Sequence, residues 1–208
     1  MGFLKKNLGL GDEGLIKAWV DRHNIKHYKI HDDKSVSIFD HTIYLIGDID
    51  PFSTIRIRTC NHLHISRCKF TTMNNFPINY THIKVTNFTT GLDYDKILCN
   101  GIDVIISNIK ELKFNISNKK LRSLIIEDCT GDISIKNSIV CNLHIKSSNI
   151  NLNISKLNSQ DSINIISCKF NDIIFQDSKT QILTWGGNNM EISSEYMRKN
   201  RIESKYFR

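Results

Sequence analysis

A short apolar pattern that recurs about every 20 residues constrains the fold of this chain most. The octets LHISRCKF (63–70), LIIEDCTG (124–131), LHIKSSNI (143–150) and INIISCKF (163–170) share it. When the first apolar residue of each repeat is taken as its anchor, successive anchors lie 20, 21, 20, 19, 20 and 19 residues apart. Such a period predicts a solenoid, because a short repeat cannot bury its apolar face alone and must stack on its neighbours. The anchors are Leu63, Ile83, Val104, Leu124, Leu143, Ile163 and Ile182.

Each repeat carries the pattern of two short strands. The anchor and the residue two positions later are both apolar, as in Leu63 and Ile65, and alternation with period two predicts a half-buried strand. A second alternating stretch follows, as in Ile133 and Ile135. Five positions after the anchor, four repeats have a small residue that suits the inside of a turn, where a weak donor can meet a free carbonyl. These residues are Cys68, Cys129, Ser148 and Cys168.

The chain is therefore predicted to be mainly β, a parallel β-solenoid with coils of about 20 residues. Equivalent strands of successive coils are expected to pair in parallel about 4.8 Å apart around a continuous apolar interior. A leucine-rich repeat has one row of strands, whereas a β-helix has two or three. The second strand of each coil and the scarcity of Leu favour the β-helix, but the pattern alone leaves both cross-sections open.

The two ends have different patterns from the repeats. The segment DEGLIKAWVDR (12–22) predicts an amphipathic helix, and the alternating runs of YKIHDDKSVSIF (28–39) predict a hairpin. Because a solenoid needs its open end covered, we expect residues 1–42 to form an N-terminal cap. The repeats are assigned to residues 43–189, with an irregular first coil that begins near residue 43. Residues 190–208, which are basic and either helical or extended, are expected to be a C-terminal cap or tail.

The N-terminal segment resembles a module of known proteins. Residues 16–49 are similar to the N-terminal module of leucine-rich-repeat-like solenoid proteins carried by large tailed bacteriophages, in which a Trp-Leu-Asp helix precedes a Tyr-x-Ile-x-x-Asp hairpin and short repeats. The resemblance implies a phage origin and a binding role, with no catalytic residues. The matching residues are Trp19, Asp21, Ile25, Tyr28, Ile30 and Asp33.

No constellation of catalytic residues accompanies the repeat. The adjacent acids Glu127 and Asp128 have no acidic partners at equivalent positions of the next coil, and the chain has no P-loop, nucleophile elbow or dinucleotide fingerprint. His23, His27 and His31 would share one face only if the helix continued into the predicted hairpin. We therefore expect no enzyme activity, no cofactor and no metal.

Composition bounds the cellular setting. The six cysteines include no CxxC pair and are interpreted as reduced, buried thiols. No apolar run approaches the roughly 18 residues that span a bilayer. We expect the protein in the host cytoplasm or in a virion, and not in the secreted fraction.

The net charge of +7 suggests where a partner binds. Basic residues concentrate in the first coils and in the tail, and outward positions of successive coils project from one sheet. A stripe is predicted to comprise Arg56, Arg67, Lys84 and Lys146. The ordinary alternative is that outward Lys and Arg keep a stacked sheet soluble. The predicted binding surface comprises Arg56, Arg58, Arg67, Lys69, Lys84, Lys146, Arg198, Lys199, Arg201, Lys205, Tyr206, Phe207 and Arg208.

Two functions remain open at the level of sequence. The first is a protein-binding solenoid without enzyme activity, acting as a virion or assembly component or as a binder of a host protein. The second is a basic nucleic-acid-binding protein, whose binding would weaken as salt rises. His62 and His82, each directly before an anchor, are expected to stack on adjacent coils. The sequence indicates no small-molecule substrate.

Overall fold

The computed structural model of this protein describes residues 12–39, 42–46, 56–70, 79–87 and 89–208. Within them the chain forms three short helices and sixteen strands. The helices are α1 (Asp12–Arg22), α2 (Tyr94–Ile97) and α3 (Ser194–Lys199). The strands are β1 (Tyr28–Ile30), β2 (Val36–Ile38), β3 (Thr42–Ile46), β4 (Ile57–Thr59), β5 (His62–Ser66), β6 (His82–Thr86), β7 (Asp103–Ser107), β8 (Leu112–Ser117), β9 (Lys120–Glu127), β10 (Thr130–Lys136), β11 (Ile139–Lys146), β12 (Asn149–Ser155), β13 (Ser162–Ile166), β14 (Lys169–Gln176), β15 (Lys179–Gly186) and β16 (Glu203–Phe207).

A long parallel sheet runs through the stacked coils and confirms the predicted solenoid. Among the described residues it has nine strands in the order β16-β15-β13-β11-β9-β7-β6-β5-β3. The anchors from Leu63 to Ile163 are in register with one another and are all buried. β3 extends this row with Ile43, so the sheet begins where the first coil was expected.

The last anchor was assigned one residue too early. Leu183, and not Ile182, pairs with Ile163 and is fully buried, whereas Ile182 pairs with Ser162 and is half-buried. The period alone allows either residue, but only Leu183 has an apolar residue two positions later, Trp185, where Ile182 has Thr184. The corner that follows decides, because its left-handed residue comes four positions after the anchor, as Gly187 does here and Asp128 does after Leu124.

A second parallel sheet runs beside the first and has the order β14-β12-β10-β8. Its inward residues are the ones predicted from the second alternating stretch, with Phe114, Ile133 and Leu152 in register and buried. Part of a third face precedes the anchors, where Asn158 bridges both Ile139 and Lys179. Because more than one row of parallel strands surrounds the interior, the cross-section is that of a β-helix.

Left-handed residues turn the chain at the corners of the coils. One row of corners follows the long sheet, and a second row follows the second sheet. Only glycine and short polar residues adopt this backbone region at little cost, which explains why Asn, Asp, Ser and Gly are frequent here. The first row is Arg67, Asn87, Asn108, Asp128, Ser147, Ser167 and Gly187; the second is Asn118, Asn137, Lys156, Asp177 and Arg201.

In the coils that carry Cys129, Ser148 and Cys168, the small residue after the corner fills the inside of the turn, as predicted. The thiol of Cys129 donates to the carbonyl of Glu127 at 3.1 Å, and the thiol of Cys168 donates to that of Ile166 at 3.3 Å. The hydroxyl of Ser148 donates to the carbonyl of Lys146 at 2.9 Å. All six cysteines are free thiols, of which Cys99 and Cys141 are half-buried and the rest are buried.

The N-terminal end carries the expected helix and hairpin. In α1, Ile16, Trp19 and Val20 are buried on one stripe. β1 pairs antiparallel with β2, and β2 pairs parallel with β4, which forms a separate three-stranded sheet in the order β1-β2-β4.

The basic C-terminal segment forms the last coil and is both helical and extended. After the corner at Gly187, α3 follows, and β16 then pairs in parallel with β15. Ile192 and Ile202 are buried on either side of the helix. The backbone amide of Trp185 donates to the carbonyl of Arg208, and the amide of Arg208 donates to that of Leu183. The tail is therefore docked along the end of the long sheet.

Candidate binding surfaces

Arg56 and Arg58, the first two residues of the predicted binding surface, contact the turn of the β1–β2 hairpin. Arg58 donates to the Asp33 carboxylate at 2.6 Å and to the Ser35 hydroxyl at 2.6 Å, and Arg56 lies 3.9 Å from the same carboxylate. Hydrogen bonds from Ser35 and then from Arg58 hold the pKa of Asp33 far below its usual range. Because both arginines pair with the Asp33 carboxylate, their positive charge is partly neutralised and attracts an acidic partner less strongly.

The predicted basic stripe does not form. Arg56 directly precedes β4, which lies in the N-terminal sheet, and Arg67 lies at a corner. Lys84 and Lys146 do lie in the long sheet, but they occupy different rows, one position and three positions after their anchors. Side chains of different coils line up in one row only when they occupy the same position relative to their anchors, and these residues do not. Lys69 is exposed and bridges Thr90 beyond the corner.

A polar ladder lies on the outer face of the long sheet. His62 and His82 stack with their ring centroids 4.1 Å apart, which confirms their predicted stacking. Nε2 of His82 lies 2.8 Å from Oδ2 of Asp103. Arg122 donates to both oxygens of this carboxylate, and these hydrogen bonds lower the pKa of Asp103 from its ordinary value, with a smaller contribution from His82.

This ladder neutralises its own charges and surrounds no cavity. The charge of Arg122 is offset by Asp103, and the rings of His62 and His82 pack against each other. The described residues include no group of three or more His, Cys, Asp or Glu side chains that could hold a metal ion. Asp103 was missed by the sequence analysis, although it directly precedes an anchor, as His62 and His82 do.

An open groove lies at the C-terminal end of the described residues. Its volume is about 830 Å³, within the range of ligand sites. Met197, Ile202 and Phe207 supply its apolar part, and Arg198 and Lys205 supply cations. We call it the C-terminal groove. It is lined by Asn158, Ser159, Gln160, Lys179, Thr180, Gln181, Ser194, Met197, Arg198, Ile202, Glu203, Ser204, Lys205 and Phe207.

The charges of this end divide into paired and unpaired groups. Lys179 pairs with Glu203 at 2.9 Å, and Arg201 pairs with Asp177 at 2.5 Å. Arg198 and Lys205 form no ion pair with any described acidic group, and the ammonium of Lys205 lies 5.5 Å from the centre of the Tyr206 ring. The groove therefore presents two cations beside an apolar surface.

The exposed aromatics of the tail lie next to this groove. Tyr206 is 53% exposed and Phe207 is 41% exposed. Phe207 is in register with Leu183, so it continues the buried anchor row to the open end of the stack. Among the tail residues predicted to bind, Arg198, Lys205 and Phe207 line the groove, Tyr206 flanks it, and Arg201 is engaged with Asp177. Lys199 is exposed on α3, and Arg208 closes the last strand pairing.

Comparison of the chain with models of protein families, with curated proteins and with solved structures finds no match. No helix among the described residues has both the length and the apolar character needed to cross a bilayer.

Proposed function

We propose that this protein is a protein-binding solenoid of phage origin without enzyme activity, acting as a virion or assembly component or as a binder of a host protein. One observation carries the proposal: the C-terminal groove combines an apolar lining, two unpaired cations and two exposed aromatic side chains. Exposed aromatics and arginine are the residues that most often dominate the free energy of protein association. The phage origin rests on the similarity of the N-terminal module.

The filled interior supports a surface role. The inward rows of both sheets are occupied by stacked apolar side chains such as Leu124, Phe114 and Ile154, each at most 1% exposed. A ligand can therefore reach only the outer faces and the ends of the stack. Among the described residues, the C-terminal end brings charge, apolar surface and aromatic rings together.

Purification of the tagged chain from phage-infected bacteria and from virions tests this proposal. We expect one protein to co-purify in a fixed ratio with the wild-type chain, and less of it with the Tyr206→Ala/Phe207→Ser variant. Loss of two aromatic contacts at an interface weakens association by at least about tenfold. The matched control, Tyr44→Ala, removes an aromatic that is 55% exposed near the other end and should leave the ratio unchanged.

A nucleic-acid role gives a different result. The wild-type chain would then retard DNA or RNA in gels at about 50 mM salt and lose this binding by about 200 mM. Such retardation, together with the absence of a co-purifying protein, would overturn the proposal.

A further inference from the structure

We infer that the C-terminal end binds an extended acidic peptide of its partner, which adds as a further strand beside β16. This inference rests on the proposed protein-binding function and names the partner segment that the groove would take. The partner peptide is expected to be extended, with carboxylate and apolar side chains in alternation. Three features of the last coil support it.

The first feature is the sheet edge. β16 is the last strand of the nine-stranded sheet, and no described strand lies on its far side. A strand at an edge presents unpaired amide and carbonyl groups, which an added strand can satisfy. The neighbouring strands β15 and β13 are paired on both sides, so at the C-terminal end the ladder can continue beside β16.

The second feature is the uncovered end of the apolar interior. Leu183 is fully buried, whereas Phe207, its partner in register, is 41% exposed. The difference arises because Leu183 has a coil on each side and Phe207 has one on one side only. An apolar side chain of an added strand, placed over Phe207, would bury this ring as β16 buries Leu183.

The third feature is charge. Lys179 and Glu203 neutralise each other across β15 and β16, which leaves Arg198 and Lys205 at the groove without an acidic partner among the described residues. A peptide whose carboxylates meet these cations gains attraction, while a basic peptide is repelled. A second copy of this chain brings the same two cations and a net charge of +7, so charge disfavours it as the occupant.

The test uses a fluorescein-labelled decapeptide of alternating Glu and Val and a matched probe with Lys in place of Glu. Binding to the full chain is followed by fluorescence anisotropy at about 50 mM salt, where exposed charges are weakly screened. We expect the acidic probe to bind at least tenfold more tightly than the basic one. Equal affinity for both probes, or no binding of the acidic probe, would overturn the inference.

Charge variants locate the site. Arg198→Glu/Lys205→Glu should weaken binding of the acidic probe at least tenfold. The matched control, Lys113→Glu/Lys136→Glu, makes the same change of charge on exposed positions of the second sheet and should change binding by less than twofold. All four side chains are exposed, so both variants should keep the circular dichroism spectrum of the wild-type chain. Equal losses of affinity in both variants would show that the acidic probe is held by nonspecific electrostatic attraction, which would overturn the proposed site.

Backbone pairing is tested by N-methylation of the probe. Methyl groups on every second amide block one edge of an extended peptide, and the alternate set blocks the other edge. We expect one set to abolish binding and the other to preserve it, because strand addition uses a single edge of the peptide. Equal binding by both methylated probes would show that no strand forms. A dimer in sedimentation experiments that is lost in Lys205→Glu would assign the edge to a second copy instead.

These outcomes separate the inference from the proposed function. A protein that still co-purifies with the Arg198→Glu/Lys205→Glu chain would leave the proposed function standing and overturn this site. Failure to recover any protein partner would overturn the proposed function, whichever probe binds.

Discussion

The solenoid before residue 108 and the solenoid after it are built differently. The long sheet runs through both parts, from β3 to β16, but the second sheet exists only from β8 to β14 among the described residues. In the coil before β8, the short helix α2 occupies the corresponding face. Its Tyr94 ring lies 4.9 Å from the ring of Phe114 in β8, so helix and strand share one interior.

This difference shows which part of the coil structure is kept in every coil and which part can change. Tyr94 and Ile97 of α2 are as buried as the inward residues of the second sheet, although their backbone is helical. The interior demands apolar volume at that face, and a helix supplies it as well as a strand does. The strand pairing of the long sheet is the part of the coil that does not vary.

The largest effect is expected from breaking the element that both parts share. Leu124 is fully buried in the anchor row, and Leu124→Asp places an unpaired charge there. We expect the free energy of unfolding, measured by urea denaturation, to fall by more than about 4 kcal/mol. Ile125→Asp, at the neighbouring outward position, should cost much less. Similar losses for both variants would contradict the assigned inward face.

A glycine pair distinguishes the close stacking of the second sheet from the looser connection before β7. A Cβ atom on Gly131 would lie 2.6 Å from the amide nitrogen of Leu112 and closer still to its carbonyl oxygen, whereas a Cβ on Gly101 meets nothing within 4 Å. Both glycines have positive φ, so alanine is strained at either position. We expect Gly131→Ala to cost about 3 kcal/mol and Gly101→Ala about 1 kcal/mol in urea denaturation. The reverse order would show that β8 and β10 are not packed so closely.

The attachment of α2 should depend on one hydroxyl. The buried Tyr80 hydroxyl donates to the carbonyl of Ile97 at the end of the helix. Tyr80→Phe leaves this carbonyl with only the weak thiol donor of Cys99, at 3.8 Å, and should cost about 1–2 kcal/mol. Hydrogen exchange of the Leu98 amide, which donates to Tyr94 within the helix, should accelerate while that of β9 changes little. Tyr206→Phe, on an exposed ring, is the matched control and should leave both measurements unchanged.

The smallest effect concerns the thiols and appears only at alkaline pH. Burial raises the pKa of the Cys129 thiol to about 11. The unfolded chain loses this proton near pH 9 and the folded chain does not, so stability is complete below pH 9 and falls as pH rises towards 11. The loss from this thiol should reach about 1 kcal/mol at pH 10.

Cys129→Ser isolates this contribution. Ser148 already occupies the equivalent position of the next coil, so serine fits the turn. The variant should show a smaller fall of the melting temperature between pH 9 and pH 11 than the wild-type chain. The remaining fall should come partly from Cys60 in the earlier part of the solenoid, where burial raises the pKa to about 12. An unchanged pH dependence in the variant would contradict the assignment to Cys129.

The sequence predicted the stack because the repeat encodes it directly. A period near 20 residues fixes which strands pair, and alternation fixes which side chains point inward, as for Leu63 and Ile65. The same alternation favours Leu183 over Ile182, because the residue two positions later is Trp185 for Leu183 and Thr184 for Ile182. The left-handed corners were overlooked, although Asn87, Asn108 and Asp128, each four positions after an anchor, carry a recognisable signal.

The candidate site was predictable only in part. The composition of the tail indicated Arg198, Lys205 and Phe207, because basic and aromatic residues at a solenoid end are unusual. The groove itself brings residues of α3 and β16 together with residues 158–160 and 179–181 of earlier coils. Residues that meet only because a non-repeating helix lies beside them do not follow the repeat, so the sequence pattern does not reveal that they are neighbours.

The uniform register makes the whole coil the unit by which a chain of this kind can lengthen or shorten during descent. Each anchor pairs with its counterpart one coil later, and the left-handed corner recurs four positions after the anchor. A gene duplication or deletion of one period would therefore carry a complete, compatible layer with it. The two ends, which hold the features specific to this molecule, would stay intact while the distance between them changed in steps of one strand spacing, about 4.8 Å.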